Sequence, residues 1–275
     1  MLKINNNKFI WGSRTYIMGI VNVTPDSFHD GGKFYDFKTA FAHAEQMIKD
    51  GVDIIDIGGE STKPFSEPVP LEEELKRVIP LIKELVTFNI PLSIDTYKAK
   101  VAEKALEAGA SMINDISGLK GDSLMAKVAG EAKVPVVIMH IKGTPKTMQA
   151  NPVYDDLIKE INDYFKQSID IALKAGIEPS KIILDPGIGF GKTVEHNIEI
   201  IKRLNEFKSL GFPILLGPSR KSFIGKLCND IPTEQRLSGT LASVVIGVEK
   251  GVDMVRVHDV KETKQALTIA DKIYR

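Results

Sequence analysis

The chain has 275 residues, 43% of them hydrophobic, and its 36 lysines and arginines are balanced by 36 aspartates and glutamates. A neutral balance gives no basic footprint for nucleic acid, and the longest apolar runs fall well short of the roughly 20 residues of a membrane helix. A single cysteine, Cys228, excludes internal disulfides, and the amino terminus lacks the apolar core and cleavage site of a signal peptide, so a cytoplasmic protein is expected.

In chain order, residues 1–15 alternate weakly around an Asn-rich turn at 5–7 and predict a small hairpin. Eight short, β-branched apolar runs follow, at 16–22, 53–59, 91–95, 110–115, 135–140, 181–187, 213–220 and 253–258. Helical periodicity fills the gaps: Phe37, Phe41, Ala44 and Ile48 form one stripe, Leu75 to Val86 another. Residues 155–175 carry a third such face, and Leu237, Leu241, Val244 and Val248 a fourth. Gly51, Gly109, Gly176, Gly211 and Gly251 each fall just past a helix and just before a strand, the place of a left-handed C-terminal cap. Eight βα units predict a (β/α)8 TIM barrel, one α/β domain over residues 1–275, with the hairpin plugging its amino-terminal end. No linker or composition shift marks a second domain.

In such a barrel the site forms where the strands end. The runs end in Asn22, Asp56, Asp95, Asn114 with Asp115, His140, Asp185, Ser219 to Lys221, and Arg256 with His258. These residues are expected to converge on one mouth, and the chain to be an enzyme. Three long loops lie on the same side, at 22–34, 58–70 and 139–154, and are expected to act as lids or binding loops. Loops seven and eight often hold a phosphate in these barrels. Here Ser219, Arg220, Lys221 and Ser222 precede a predicted helix, and Arg256 and His258 share a parity, which suits a phosphoryl or pyrophosphoryl group. The strand-end carboxylates fit metal binding, proton transfer, or hydrogen bonding to a nitrogen-rich heterocycle; Asp185, Asn114 and Lys221 suit a fused-ring edge. Asp115 follows Asn114 directly, faces the other way, and is read as structural. No Ser-His-Asp or Cys-His system is evident, Cys228 is expected to be inert, and His140 either faces the site or is bonded to backbone. His29, His43 and His196 carry no ligand spacing. The segment DPGIGFGKT (185–193) lacks the spacing of a P-loop, so its glycines are expected to let backbone approach a flat ligand, with Phe190 as a stacking face.

Taken together, MGIVNVTPDSFHDGG (18–32), DIIDIGGEST (53–62), SIDT (93–96), INDI (113–116), the 139–149 loop, DPGIGFGKT (185–193), GPSRKSFIG (217–225) and RVHDV (256–260) make a specific set. In family order and across the barrel, they resemble the dihydropteroate synthase family of pterin-binding barrels. The second loop departs from that pattern, with Lys63 and Phe65 where the family has arginine and glycine, and lysine lacks the bidentate fork of arginine.

The resemblance implies transfer of a pterin-methyl group. 6-Hydroxymethyl-7,8-dihydropterin pyrophosphate would condense with para-aminobenzoate to give 7,8-dihydropteroate and pyrophosphate in folate biosynthesis, at a site that sulfonamides also target. It implies Mg2+ on Asn22, with Arg256 and His258 on the pyrophosphate. Asp95, Asn114, Asp185 and Lys221 would hold the pterin, and Thr62, Pro64, Phe190 and Ser222 the para-aminobenzoate. Asp95, Lys221, Arg256 and His258 would carry the catalysis. It also implies a homodimer through outer helices, with small molecules as the other partners and no nucleic acid or membrane. Two rival readings are a methyltetrahydrofolate-dependent methyltransferase of the same barrel family and a pterin-binding protein without turnover. The phosphate-binding loops speak against the first and the intact site residues against the second.

Overall fold

The computed structural model describes residues 1–23 and 33–275, with side chains from residue 37 onward in the second stretch. The chain opens with an antiparallel hairpin, β1 (Leu2–Ile4) and β2 (Asn7–Phe9), turning through Asn5 at φ 52°. Parallel strands then alternate with helices: β3 (Tyr16–Asn22), α1 (Lys33–Lys49), β4 (Ile54–Gly58), α2 (Leu71–Leu85), β5 (Leu92–Asp95) and α3 (Ala99–Ala108). They continue as β6 (Met112–Asp115), α4 (Met125–Ala132), β7 (Val136–Met139), α5 (Leu157–Lys174), β8 (Ile182–Asp185) and α6 (Val194–Lys202). The last turn of the fold is β9 (Leu215–Leu216), α7 (Ser222–Leu227), α8 (Leu237–Glu249), β10 (Met254–Val257) and α9 (Val260–Tyr274). The sheet order is β8-β7-β6-β5-β4-β3-β10-β9, and a parallel bridge from Leu184 to Ile214 brings β8 back beside β9. The result is a nearly closed eight-stranded parallel barrel, as expected from the sequence.

One strand is shorter than its apolar run. Of residues 213–220 only Leu215 and Leu216 form ladder. Pro213 and Pro218 bracket them, and each removes an N–H donor that a longer strand would need. The five glycines that phase the repeat all adopt positive φ, from 82° at Gly211 to 118° at Gly109, closing helices as expected.

Strand alternation divides the core into two. Ile17, Ile55, Ile57, Ile94, Ile113, Ile138, Leu184, Leu216 and Val255 face outward into the helix layer. On the other parity, Met18, Ile54, Met112, Val137, Ile183, Leu215 and Met254 fill the barrel bottom and pack with Leu2, Ile4 and Phe9. The hairpin therefore plugs the amino-terminal end, as predicted. Two residues further along the same inward parity stand Asp56, Asn114, Met139, Asp185, Gly217 and Arg256, and in register with them Asn22, Gly58 and Asp95. The interior thus changes from apolar to polar along the barrel axis. Among the described residues, no helix is long and apolar enough to cross a membrane.

Candidate active site

A cavity of about 790 Å³ opens where the interior turns polar. Asn22, Asp95, Asn114, Asp185, Arg256 and His258 line it from the strand ends. Thr62 and Pro64 reach it from the β4–α2 loop, Phe190 from the β8–α6 loop, and Lys221 and Ser222 from the start of α7. Every residue given a substrate, catalytic or metal role in the sequence borders this one space, whereas Asp56, Asp115 and His140, strand endings also expected at the mouth, do not line it. His140 follows β7 on the outward parity and packs edge-on against Tyr164, ring centroids 4.8 Å apart. Asp115 also turns away. Its carboxylate accepts from the N–H and hydroxyl of Ser117, at 2.7 and 2.6 Å, and from the N–H of Leu119 at 2.8 Å, a loop-capping role.

Arg256 sits among acids rather than as a free cation. Its Nε donates to Asp56 at 2.6 Å and its Nη2 to Asp95 at 2.6 Å, while Asn114 donates to the same Asp56 oxygen at 2.9 Å. Asp56, named only as a strand ending in the sequence, is fully buried and orients both Arg256 and Asn114. Its second oxygen and that of Asp95 are buried without a hydrogen-bond partner among the described residues. Burial pushes the Asp95 carboxyl up to about 7, against the pull of Arg256. Burial likewise raises Asp185, opposed by the Gly187 N–H 2.7 Å away. Lys221 is brought down to about 8 by burial and by Arg256, with Asp185 and Asp95 opposing, and its Nζ stands 4.1 Å from the centroid of the Phe190 ring.

The phosphate side differs from the simple row of cations the sequence suggested. His258 is driven down to about 4 by burial and Arg256, so its ring is neutral, and Ser219 Oγ lies 2.8 Å from its Nδ1. Arg220, at φ 53°, is held by a two-point contact to Asp259, at 2.8 and 2.6 Å. That pair ties the seventh loop to the eighth. The helix opening beyond Lys221 is short, Ser222–Leu227.

The β8–α6 loop explains its glycines by close packing. Gly187, Gly189 and Gly191 have φ of 71°, 81° and 63°. A Cβ on Gly187 would lie 2.0 Å from the His140 carbonyl oxygen, and one on Gly191 would lie 2.6 Å from that of Lys142. Only Gly189 borders the cavity. Two of the three expected ligand-facing glycines therefore serve contact with the neighbouring chain segment instead. Three successive carbonyls of this loop are capped: Gly189 by Gln149 at 2.8 Å and Gly191 by the Tyr154 hydroxyl at 2.7 Å from the β7–α5 loop, and Phe190 by Lys192 of the loop itself at 3.0 Å.

The β4–α2 loop is clipped at its base. Glu60 accepts from the Val69 N–H at 3.0 Å, from the Tyr97 hydroxyl at 2.9 Å and from Lys98, which also bonds the buried Glu74. Sequence spacing gave no sign of this network. Beyond the clip, the Phe65 N–H donates to the Pro145 carbonyl at 3.1 Å, and Lys146 pairs with Glu67 at 2.8 Å. Phe65 holds φ 66°, in the left-handed region that favours glycine, with an exposed side chain, while Lys63 borders the cavity. Most of the 22–34 loop, with His29, lies outside the described residues.

For a metal ion, no group of three or more His, Cys, Asp or Glu residues gathers among the described residues. Asn22 offers one amide oxygen at the mouth, beside Gly58.

Residues 18–258 match the family described as pterin binding enzyme. The dihydropteroate synthase of Clostridium beijerinckii is 53% identical over 276 aligned positions, covering all of both chains. Among solved structures, a dihydropteroate synthase from Clostridium difficile, determined in the presence of pteroic acid, superposes with a TM-score of 0.92 at 52% identity, covering 98% of this chain and 100% of that one. The Yersinia pestis dihydropteroate synthase with a sulfonamide drug superposes with a TM-score of 0.93 at 43% identity, covering 99% and 98%. A polar barrel mouth built from these residues, matched end to end by such relatives, places the chain in the pterin-binding enzyme family.

Proposed function

We infer that the chain condenses 6-hydroxymethyl-7,8-dihydropterin pyrophosphate with para-aminobenzoate, giving 7,8-dihydropteroate and pyrophosphate. The observation that carries this reading is the pairing inside one cavity of heterocycle-binding acids and amides with Arg256, Lys221 and the Ser219–His258 pair. The C. difficile relative was determined with pteroic acid, which joins the two halves of such a product.

In this reading the carbon–oxygen bond to pyrophosphate breaks first, its electron pair leaving with the pyrophosphate; the aryl nitrogen then bonds the cationic carbon and gives a proton to the released pyrophosphate or to water. An aromatic amine is neutral at pH 7 and needs no strong base. The demanding part is charge separation. Arg256 and Lys221 oppose the charge gathering on the leaving pyrophosphate, and the ionised Asp95 opposes the cation forming at carbon. Asp185, Asn114 and Lys221 hold the pterin edge. Thr62, Pro64 and Phe190 enclose the aryl ring, with Ser222 at its carboxylate, and a sulfonamide would compete in that space. Excluding water protects the cationic carbon from capture.

Asn22 would hold Mg2+ through its amide oxygen, a hard ligand of the kind that ion prefers. When bound, the ion would supply further positive charge to the leaving group. A homodimer through the outer helices is supported by Ile269 and Ile273, one turn apart on α9 and 64% and 67% exposed. Sedimentation at micromolar concentration tests that point, and a monomer would refute it.

The function is tested by following pyrophosphate release and dihydropteroate formation with purified protein. Equimolar release of both products, dependent on both substrates, is the expected result. Pyrophosphate release indifferent to para-aminobenzoate would overturn the reading.

A further inference from the structure

Lys192 stands near the end of the glycine-rich β8–α6 loop, is 3% exposed, and does not line the cavity. Its Nζ lies 2.9 Å from His140 Nδ1 and 3.0 Å from the Phe190 carbonyl oxygen. Burial and the neighbouring Lys192, Lys120 and Lys142 hold His140 well below the usual histidine range, so its ring is neutral and Nδ1 can accept from the lysine. The lysine thus spans from the end of β7 to the middle of the loop.

What it holds there is the backbone of a residue whose side chain borders the cavity. Phe190 lines the cavity and meets Lys221 Nζ on its ring face. On either side stand Gly189 and Gly191, both at positive φ, so the loop has little stiffness of its own at Phe190. Gln149 and Tyr154 cap the two glycine carbonyls from the β7–α5 loop, and Lys192 caps the one between. Burying an amine is costly, and here burial brings it down to about 7. A methionine would fill a similar space without that cost. Methionine would, however, leave His140 Nδ1 and the Phe190 carbonyl oxygen without this donor, so the lysine offsets its burial by the two contacts it makes, one of them to the backbone of Phe190.

We propose that Lys192 is a positioning residue for the condensation: through the Phe190 carbonyl it fixes the Phe190 ring as the wall shared by Lys221 and the aryl amine. This rests on reading the cavity as the pterin and para-aminobenzoate site. Lys192 touches neither substrate, so its removal should loosen binding of the aryl amine more than it slows the bound complex.

The test is steady-state pyrophosphate release by the parent protein, Lys192→Met and Lys192→Arg, with thermal unfolding of each. Lys192→Met is expected to raise the KM for para-aminobenzoate by roughly tenfold, as for one lost charge-assisted bond, with kcat within about threefold of the parent. Its Tm should fall modestly, as expected for two buried acceptors left without a donor, and Lys192→Arg should recover part of the KM. An unchanged KM in folded Lys192→Met would overturn the proposal. So would a lower Tm with kcat reduced and KM unchanged, the mark of a purely structural role. If Lys192→Met does not fold, His140→Leu carries the test: it removes one of the two anchors, so KM should rise by a smaller factor, and an unchanged KM would overturn the proposal. Absence of turnover in the parent would instead overturn the reading of the cavity, and this inference with it.

Discussion

Arg256 is the counter-ion of two buried carboxylates and, in the proposed reading, also the cation aimed at a pyrophosphate. With 18% of its side chain exposed, it bonds Asp56, which is wholly buried, and Asp95, of which 8% is exposed. Removing one member of such a group leaves the others uncompensated, at a cost of about 3–5 kcal/mol. Arg256→Ala is therefore expected to lower Tm measurably and to weaken binding of the pterin pyrophosphate by roughly ten- to hundredfold, more than that of the phosphate-free pterin. Calorimetry with both ligands and a thermal scan check this; equal losses for the two ligands at an unchanged Tm would contradict it. The same cluster sets a pH dependence. Asp95, held up at about 7, must lose its proton to face a cation, so kcat/KM should rise through that value. Lys221, held down at about 8, must keep its proton, so kcat/KM should fall above it. A bell with limbs near these values is expected, and Asp95→Asn should remove the acid limb. A flat response between pH 6 and 9 in the parent would count against both assignments.

At the scale of elements, the β4–α2 loop is clipped at its base by Glu60 and touches the β7–α5 loop through two contacts near its tip. The salt bridge of that pair is well exposed at both ends, so it is worth little by itself. The segment carrying Thr62 and Pro64 can therefore open at small cost, and the aryl-amine pocket is complete only when it is closed. Para-aminobenzoate is expected to bind measurably only after the pyrophosphate site and pterin pocket are filled, a positive coupling in which the first ligand orders the second site. Pyrophosphate with Mg2+ should also protect residues 58–70 from proteolysis. Tight para-aminobenzoate binding to the free protein, or cleavage indifferent to pyrophosphate, would rule this out. The β8–α6 loop is the opposite case, braced at three carbonyls, and should resist protease with or without ligand.

For the molecule as a whole, periodicity was enough to read the barrel, because each βα unit carries its own strand run, helix stripe and capping glycine. The members of the site were legible for the same reason: on inward parity, residues such as Asp95 and Arg256 must reach the mouth. Their partners were not. Arg256 lies 161 residues from Asp95 and 200 from Asp56, and nothing local in the sequence encodes which acid it meets. The Lys192–His140 contact, 52 residues apart and in the outer layer, was hidden likewise. Pro213 and Pro218, visible from the start, were the sign that the seventh strand would be short. In the proposed reading, what the barrel accomplishes with these residues is electrostatic: it fixes opposed charges around a bond that breaks into ions. That claim is tested most directly by the single-turnover rate of Asp95→Asn beside its affinity for the pterin pyrophosphate. A rate reduced about a hundredfold or more, with Kd within about threefold of the parent, is the expected result. A rate within threefold of the parent, or a loss of rate matched by an equal loss of affinity, would contradict it.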